Sequence, residues 1–317
     1  MFNSFLSLVI VVHDGEEAAQ LPKLLHQLYG VLRTHFSDYE FVVVNNLPGQ
    51  SLDSYIMPLP NELKHQIYVL NLSSATPWNH AVVAGLDRAN GDYTAIFEFE
   101  FAHQPQLLLE MMQCAHQGFD IVYLRAPRRI AGWRTGLGYR LFYWIMKHYS
   151  SLQIDELAHN TRLISRRALN SLLRLRENLR YMKAIYSIVG YRTTFIQTDV
   201  PLKPDPHSSF REKLHNSLVA ITSFTTFLRT LLFWIFVFSI LLLIVVIFNA
   251  VKVKMTNVDI FGIYHETVSG WPFLVVLISV FFAITCLNLF IMSIYLSNIY
   301  YEIKHRPLYL IESIKRY

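Results

Sequence analysis

The chain has 317 residues, 53% of them hydrophobic and 16% charged, with a mean hydropathy of +0.29 and a formal net charge of +5. Ordinary soluble domains carry about 45–50% apolar and about 25% charged residues, so this composition excludes a disordered chain and argues against a purely soluble one. The charge is modest, and no nucleic-acid partner is expected.

The apolar excess is uneven. Residues 230–251 and 267–301 contain no Asp, Glu, Lys or Arg. At about 1.5 Å per residue the first run alone extends roughly 33 Å, enough for a bilayer core. The composition therefore divides the chain into a soluble part of about 210 residues and a membrane part of about 90.

In chain order, residues 6–12 form a short, β-branched apolar run without an early Lys or Arg. That pattern reads as a buried strand over 7–12, not a signal peptide. Residues 16–36 carry Ala18, Leu21, Leu24, Leu25 and Leu28 at helical spacing. Strands follow at 41–44 and 66–70, a helix at 81–89, a strand at 93–97, a helix at 106–117 and a strand at 120–123. This βαβ rhythm with near-continuous apolar strands predicts a mostly parallel α/β sheet. Ligands of such sheets bind beyond the carboxyl ends of the strands, which directs attention to the residues after Val44 and after Phe97.

Residues 130–150 set Trp133, Tyr139, Phe142, Tyr143 and Trp144 among Arg128, Arg129, Arg134, Arg140 and Lys147. Aromatic and basic residues together on a helix suit a membrane interface. Residues 205–229 form a second amphipathic stretch. Two spans follow, at about 230–251 and 271–296, and 302–317 is read as a tail. Arg211, Lys213, Arg229, Lys304, Arg306, Lys315 and Arg316 flank the spans, whereas the loop between them has only Lys252 and Lys254. Basic residues favour the cytoplasmic side, which places the domain and the tail in the cytoplasm. The cysteines, Cys114 and Cys286, fall in different parts and suggest no disulfide framework.

Seven segments now carry a resemblance: LSLVIVVHDGEE at 6–17, YEFVVVNN at 39–46, AGLDRANGD at 84–92, FDIVYLRAPRR at 119–129, RLISRRAL at 162–169, ITSF at 221–224 and IYYEIKHRPLYL at 299–310. In this order, along nearly the whole chain, they resemble the family 2 glycosyltransferases of the polyprenyl-phosphate hexosyltransferase group, dolichyl-phosphate mannose synthase-like and undecaprenyl-phosphate glucosyltransferase-like. The resemblance implies a GT-A-like, mostly parallel sheet domain at 1–204, followed by a two-helix C-terminal transmembrane hairpin. It also implies a nucleotide-sugar donor, a polyprenyl phosphate acceptor, a bacterial cytoplasmic membrane, Mg²⁺ or Mn²⁺, and self-association.

The departures from the family pattern lie at the chemistry. An Asp pair after the second strand is here Asn45 and Asn46, and the Asp-x-Asp position is Glu98-Phe99-Glu100. The Asp before the Arg-Leu segment is Asn160, beside Arg162, and the Lys of an Asn-x-Gly-Lys segment is missing at 76–79. Asn supplies no formal negative charge. Glu keeps the charge on a longer arm, and ~1 Å of misplacement can cost roughly 10²-fold.

By resemblance, the donor-binding candidates are Asp14, Asn45 and Asn46. The catalytic candidates are Glu98, Glu100 and, as a substitute base, His159. Glu98 and Glu100, on one face of a period-two strand, are the expected metal ligands, with His103 or His80 alongside. Arg125, Arg128, Arg162, Arg180 and Lys183 are the expected acceptor-phosphate contacts. The expected function is transfer of a sugar to a polyprenyl phosphate. The alternative is an impaired or inactive relative that binds lipid carrier or scaffolds other transferases.

Overall fold

The computed structural model describes residues 2–130, 132–175, 182–203, 210–264, 271–303 and 307–317. The apolar N-terminal run becomes β1 (Phe2–Val12). α1 (Gly15–His35) follows, capped by Asp14, whose carboxylate accepts from the Glu17 amide at 2.7 Å. Next come β2 (Phe36–Asn45), the single turns α2 (Asp53–Ile56) and α3 (Asn61–Lys64), β3 (Ile67–Leu72), α4 (Trp78–Arg88) and β4 (Tyr93–Ile96). Beyond a 3-10 turn at Phe99–Phe101 lie α5 (Leu107–His116), β5 (Ile121–Arg125), α6 (Trp133–Tyr149), β6 (Ala158–Ser165), α7 (Arg166–Arg174), α8 (Met182–Ile188) and β7 (Thr193–Gln197). The chain then runs through α9 (Phe210–Phe224), α10 (Phe227–Thr256) and α11 (Trp271–Ile303) and ends in β8 (Ile311–Arg316).

The eight strands form one mixed sheet in the order β7-β5-β6-β4-β1-β2-β3-β8. β1 pairs in parallel with β2 and β4, β2 with β3, and β5 with β7. β6 runs antiparallel between β4 and β5. Alternation along β1 explains its unbroken apolar run. Leu6, Leu8, Ile10 and Val12 face one core with α1 and α5, while Val9 and Val11 face the other with α4 and α7. Both faces are covered, so neither set of side chains can be polar.

The resemblance motifs meet in this packing. Gly85 lets α4 lie against β1 and β2, because a Cβ there would collide with the Val9 side chain and come within 3.0 Å of Val44. Arg166, in the motif at 162–169, donates to the carbonyls of Ala89 and Gly91, in the motif at 84–92, at 3.0 and 2.9 Å. Ser7 donates to the buried Glu40 at 2.6 Å, and the amides of Asn90 and Gly91 close the network.

Two compact units emerge, one of Met1–Tyr143, Leu152–Ser208 and His305–Tyr317, the other of Trp144–Ser151 and Ser209–Lys304. The second holds α10 and α11, with stretches Phe227–Val253 and Val276–Ser297 long and apolar enough to cross a membrane. Large side chains are exposed around them, among them Trp234, Phe248, Phe282 and Phe290.

The C-terminal segment, read from the sequence as a tail, is an edge strand. β8 pairs antiparallel with β3, from Tyr68↔Arg316 to Leu72↔Ile311. Its alternating exposure gave only a weak signal over six residues, and the strand becomes ordered through its partner. The path that leaves the sheet unit before α9 thus returns to the same sheet after α11.

Candidate active site

The parallel strands deliver their carboxyl ends to one edge of the sheet. Val12 pairs with Asn45, Ile96 with Arg162 and Arg125 with both Ala158 and Gln197. β6 enters at that edge, so its first residues lie beyond Ile96, beside Glu98. Asp14, Asn45, Asn46, Glu98, Glu100, Arg125, His159, Asn160 and Arg162 therefore share the edge at which the sequence places the chemistry.

On the expected donor side the polar side chains are engaged within the protein. Asn45 and Asn46 are buried, each 2% exposed. The Asn45 amide donates to the Gln50 carbonyl at 2.7 Å and to Asn71 Oδ1 at 2.9 Å, and its Oδ1 accepts from the Leu47 amide. Asn71 in turn donates to Ser313 on β8 at 2.9 Å. Asn46 Nδ2 donates to the Thr76 carbonyl at 2.8 Å and lies 2.7 Å from His13 Nδ1, while its Oδ1 accepts from the Thr76 amide at 2.9 Å. A carboxylate at 46 would face the Thr76 carbonyl with no proton to offer, which gives the Asn a local physical reason. Asp14 acts as the cap of α1.

Glu98 and Glu100 are not on one strand face. β4 ends at Ile96, Glu98 caps the 3-10 turn, and Glu100 lies inside that turn. The period-two expectation fails here because the strand stops two residues short. The Glu98 carboxylate accepts four hydrogen bonds. Three reach Oε2, from the amides of Asn160 (3.2 Å) and Thr161 (3.0 Å) and the Thr161 hydroxyl (3.1 Å). One reaches Oε1, from Asn160 Nδ2 at 3.0 Å. Glu100 goes elsewhere: its Oε1 is 3.1 Å from Lys203 Nζ, and its Oε2 is 3.7 Å from His159 Nδ1.

His159 is enclosed, its ring 1% exposed and edge-on to Phe101 at 4.9 Å between centroids. Nε2 faces the Val200 carbonyl at 3.1 Å, so that nitrogen carries a proton, because a carbonyl only accepts. The ring expected as a substitute base is thus packed against Phe101, with one nitrogen on the Val200 backbone and the other facing Glu100. His103 stands exposed in the turn that follows, and His80 lies in the first turn of α4.

The expected metal set is therefore not assembled. Among the described residues, no group of three or more His, Cys, Asp or Glu side chains is gathered to hold an ion. Glu98 accepts all four of its hydrogen bonds from Asn160 and Thr161, and both oxygens of Glu100 face cationic or imidazole nitrogens. The donor set does not fit a divalent cation.

The basic residues divide by access. Arg162 is 3% exposed, donates to the His159 carbonyl at 2.9 Å, and lies 3.7 Å over the Tyr186 ring. It is a brace for the start of β6. Arg125 pairs with Asp155 at 2.9 Å beneath Phe195. Arg129 donates to the Glu156 carbonyl and lies over Tyr139. Lys183 Nζ donates to the Ala158 carbonyl at 2.6 Å. Burial pushes its ammonium down to about 7, the charges of Arg129 and Arg162 add to that, and Asp155 and Glu98 oppose it. Arg128 is exposed, and Arg180 lies outside the described residues.

Lys203 was not singled out from the sequence. The rule that ligands gather beyond strand ends would have flagged it had β7 been recognised. Five residues of alternating exposure at a sheet edge, however, give little apolar signal.

Along its length the chain is 28% identical to an uncharacterized glycosyltransferase of Synechocystis sp., over 98% of this chain and 95% of that one. It is 27% identical to the bactoprenol glucosyl transferase of Shigella phage SfV, over 98% and 99%. Among solved structures it is similar to glucosyl-3-phosphoglycerate synthase from Mycobacterium tuberculosis, with a TM-score of 0.44 and 12% identity over 69% of this chain and 78% of that one. No protein-family model matches the chain. Along nearly its whole length, then, the chain is similar to curated glycosyltransferases, bactoprenol glucosyl transferases among them.

Proposed function

We propose that the protein transfers a sugar from a nucleotide-sugar to a polyprenyl phosphate at the cytoplasmic face of a bacterial membrane. The observation that carries the reading is the extent of its likeness to the bactoprenol glucosyl transferase of phage SfV. That likeness takes in 98% of this chain, the sheet domain and both apolar helices alike.

The acceptor chemistry explains why the departures need not stop the reaction. A phosphate monoester has a second pKa of about 6, so at neutral pH its oxygen already carries charge. That oxygen attacks the anomeric carbon, the bond to the donor's diphosphate breaks, and the nucleotide leaves with the electron pair. No proton has to be taken from the nucleophile. Asn160, which cannot act as a base, removes nothing that this acceptor requires. Arg128, exposed after β5, is the cation most open to the acceptor phosphate, while Lys183 and Arg162 hold the Ala158 and His159 carbonyls at the start of β6.

Helices apolar on every face lose least in lipid. β8 supports an even number of crossings, because the chain returns to the sheet it left. The excess of basic residues on the flanks, Arg211 and Arg229 among them, against Lys252 and Lys254 in the loop favours a cytoplasmic sheet. On α6, Leu137, Leu141 and Trp144 are exposed at spacings of four and three, a stripe suited to the bilayer interface.

A second reading, a lipid-carrier-binding or scaffolding relative without catalysis, is favoured by one observation: Glu98 is engaged by Asn160 and Thr161 instead of facing a cleft. The two readings separate in vesicles containing undecaprenyl phosphate and the purified chain, given labelled UDP- and GDP-sugars. The transferase reading expects a labelled lipid. No product and no donor binding across the panel would leave the scaffold.

A further inference from the structure

The segment after β7 is pinned at two points. His159 Nε2 holds the Val200 carbonyl at 3.1 Å. The Leu202 amide donates to the Arg128 carbonyl, and the Leu202 carbonyl accepts from the Ile130 amide, both at 2.9 Å. This clamp delivers Lys203 to Glu100, with 3.1 Å between Nζ and Oε1. The lysine side chain nevertheless stays 65% exposed. It has three N–H donors, and Glu100 needs one.

From this arrangement we infer that Lys203, steadied by Glu100, binds the donor's diphosphate in place of a divalent cation, so that donor binding requires no metal. The inference rests on the donor class proposed above. A departing diphosphate needs positive charge beside it, and a fixed, water-accessible ammonium supplies one. The acidic residues that would have gathered an ion instead have other partners: Glu98 accepts from β6, and Glu100 holds the lysine. Glu100 thereby changes role, from ligand of a cation to positioning residue for a side-chain cation.

The two arrangements predict opposite responses to one substitution. In a metal site Glu100→Gln removes a ligand and abolishes metal-dependent donor binding. In a lysine site the Gln carbonyl still accepts from the ammonium, and metal-free donor binding is retained.

The test is calorimetric titration of the full chain in nanodiscs with UDP-, GDP- and dTDP-sugars, each with EDTA and with Mn²⁺, plus electron paramagnetic resonance of Mn²⁺ added to the protein alone. The expected result is a donor Kd that changes less than about twofold between EDTA and Mn²⁺, with no Mn²⁺ bound by the protein. Lys203→Met should weaken donor binding roughly 10- to 100-fold, and Lys203→Arg should recover most of it, with unchanged thermal unfolding because the side chain is exposed. Donor binding that needs Mn²⁺, or that survives Lys203→Met unchanged, overturns this inference alone. Failure of every donor and of inorganic pyrophosphate to bind under either condition overturns the transferase reading as well.

Discussion

Lys315 Nζ lies 2.6 Å from the Asp53 carboxylate, joining β8 to the first residue of α2 across 262 positions of sequence. The Tyr317 hydroxyl donates to the same carboxylate. Together with the Asn71–Ser313 hydrogen bond, this contact ties the last strand to the loop that Asn45 organises after β2. The segment that follows the apolar helices is thus built into the expected donor side of the sheet.

That contact predicts a pH dependence. The hydrogen bond from Lys315, followed by those from Tyr317 and Ser51, holds the Asp53 carboxyl down at about 2 against an ordinary 3.8. A lowered carboxylate pKa contributes stability that is present above pH 3.8 and is lost as pH falls through about 2. Both side chains are partly exposed, so solvent screening limits the contribution to about 0.5–1 kcal/mol. Asp53→Asn should lower the unfolding midpoint at pH 7, and the gap from the parent should narrow below pH 4 and close near pH 2. A gap that persists at pH 2 would assign the loss to packing.

Glu98 should matter for folding before it matters for catalysis. Glu98→Ala leaves the amides of Asn160 and Thr161 and the Thr161 hydroxyl without their acceptor. Hydrogen bonds to a charged group contribute about 1.5–3 kcal/mol, so a loss of roughly 2–4 kcal/mol is expected by chemical denaturation. Thr161→Val, which removes one donor, should lose about 1 kcal/mol. An Ala variant as stable as the parent would show that the carboxylate is free for another task.

Lys183 predicts a slope of the opposite origin. Its folded value of about 7 lies below the ordinary 10.5. Between these values the unfolded chain keeps a proton that the folded chain has released, so stability rises with pH across the window. The penalty of the buried charge is complete below about 7. From pH 7 to 9.5 the parent should gain roughly 1–3 kcal/mol relative to Lys183→Met, read from urea midpoints. Parallel profiles for the two proteins would contradict a buried ammonium.

Sidedness can be read by labelling. With Cys114 and Cys286 replaced by Ser, Tyr264→Cys in the exposed loop after α10 should react with an impermeant maleimide on intact cells. Ser313→Cys in β8 should react only after the membrane is opened. Equal labelling of both positions would refute a two-span crossing.

Much of this protein is written locally. The continuous apolar run of β1 could only be a strand covered on both faces, and Leu21, Leu24, Leu25 and Leu28 could only form one buried stripe, so the first half of the sheet is readable from periodicity. The apolar runs of α10 and α11 are equally plain, since the length of an uncharged stretch is a property of the sequence itself. Two of the segments that the sequence left unassigned are short and half-exposed. β7 and β8 alternate over five and six residues, and each becomes a strand only because β5 or β3 offers an open edge. The candidate site divides in the same way. Residue types and their order marked Glu98, Glu100, His159 and the basic cluster. The partners of each side chain were decided in three dimensions: where β4 stops, which donors β6 presents to Glu98, and how the Val200–Leu202 clamp carries Lys203 to Glu100. Those contacts join positions as far apart in sequence as 100 and 203, and no local pattern encodes a pairing at that range.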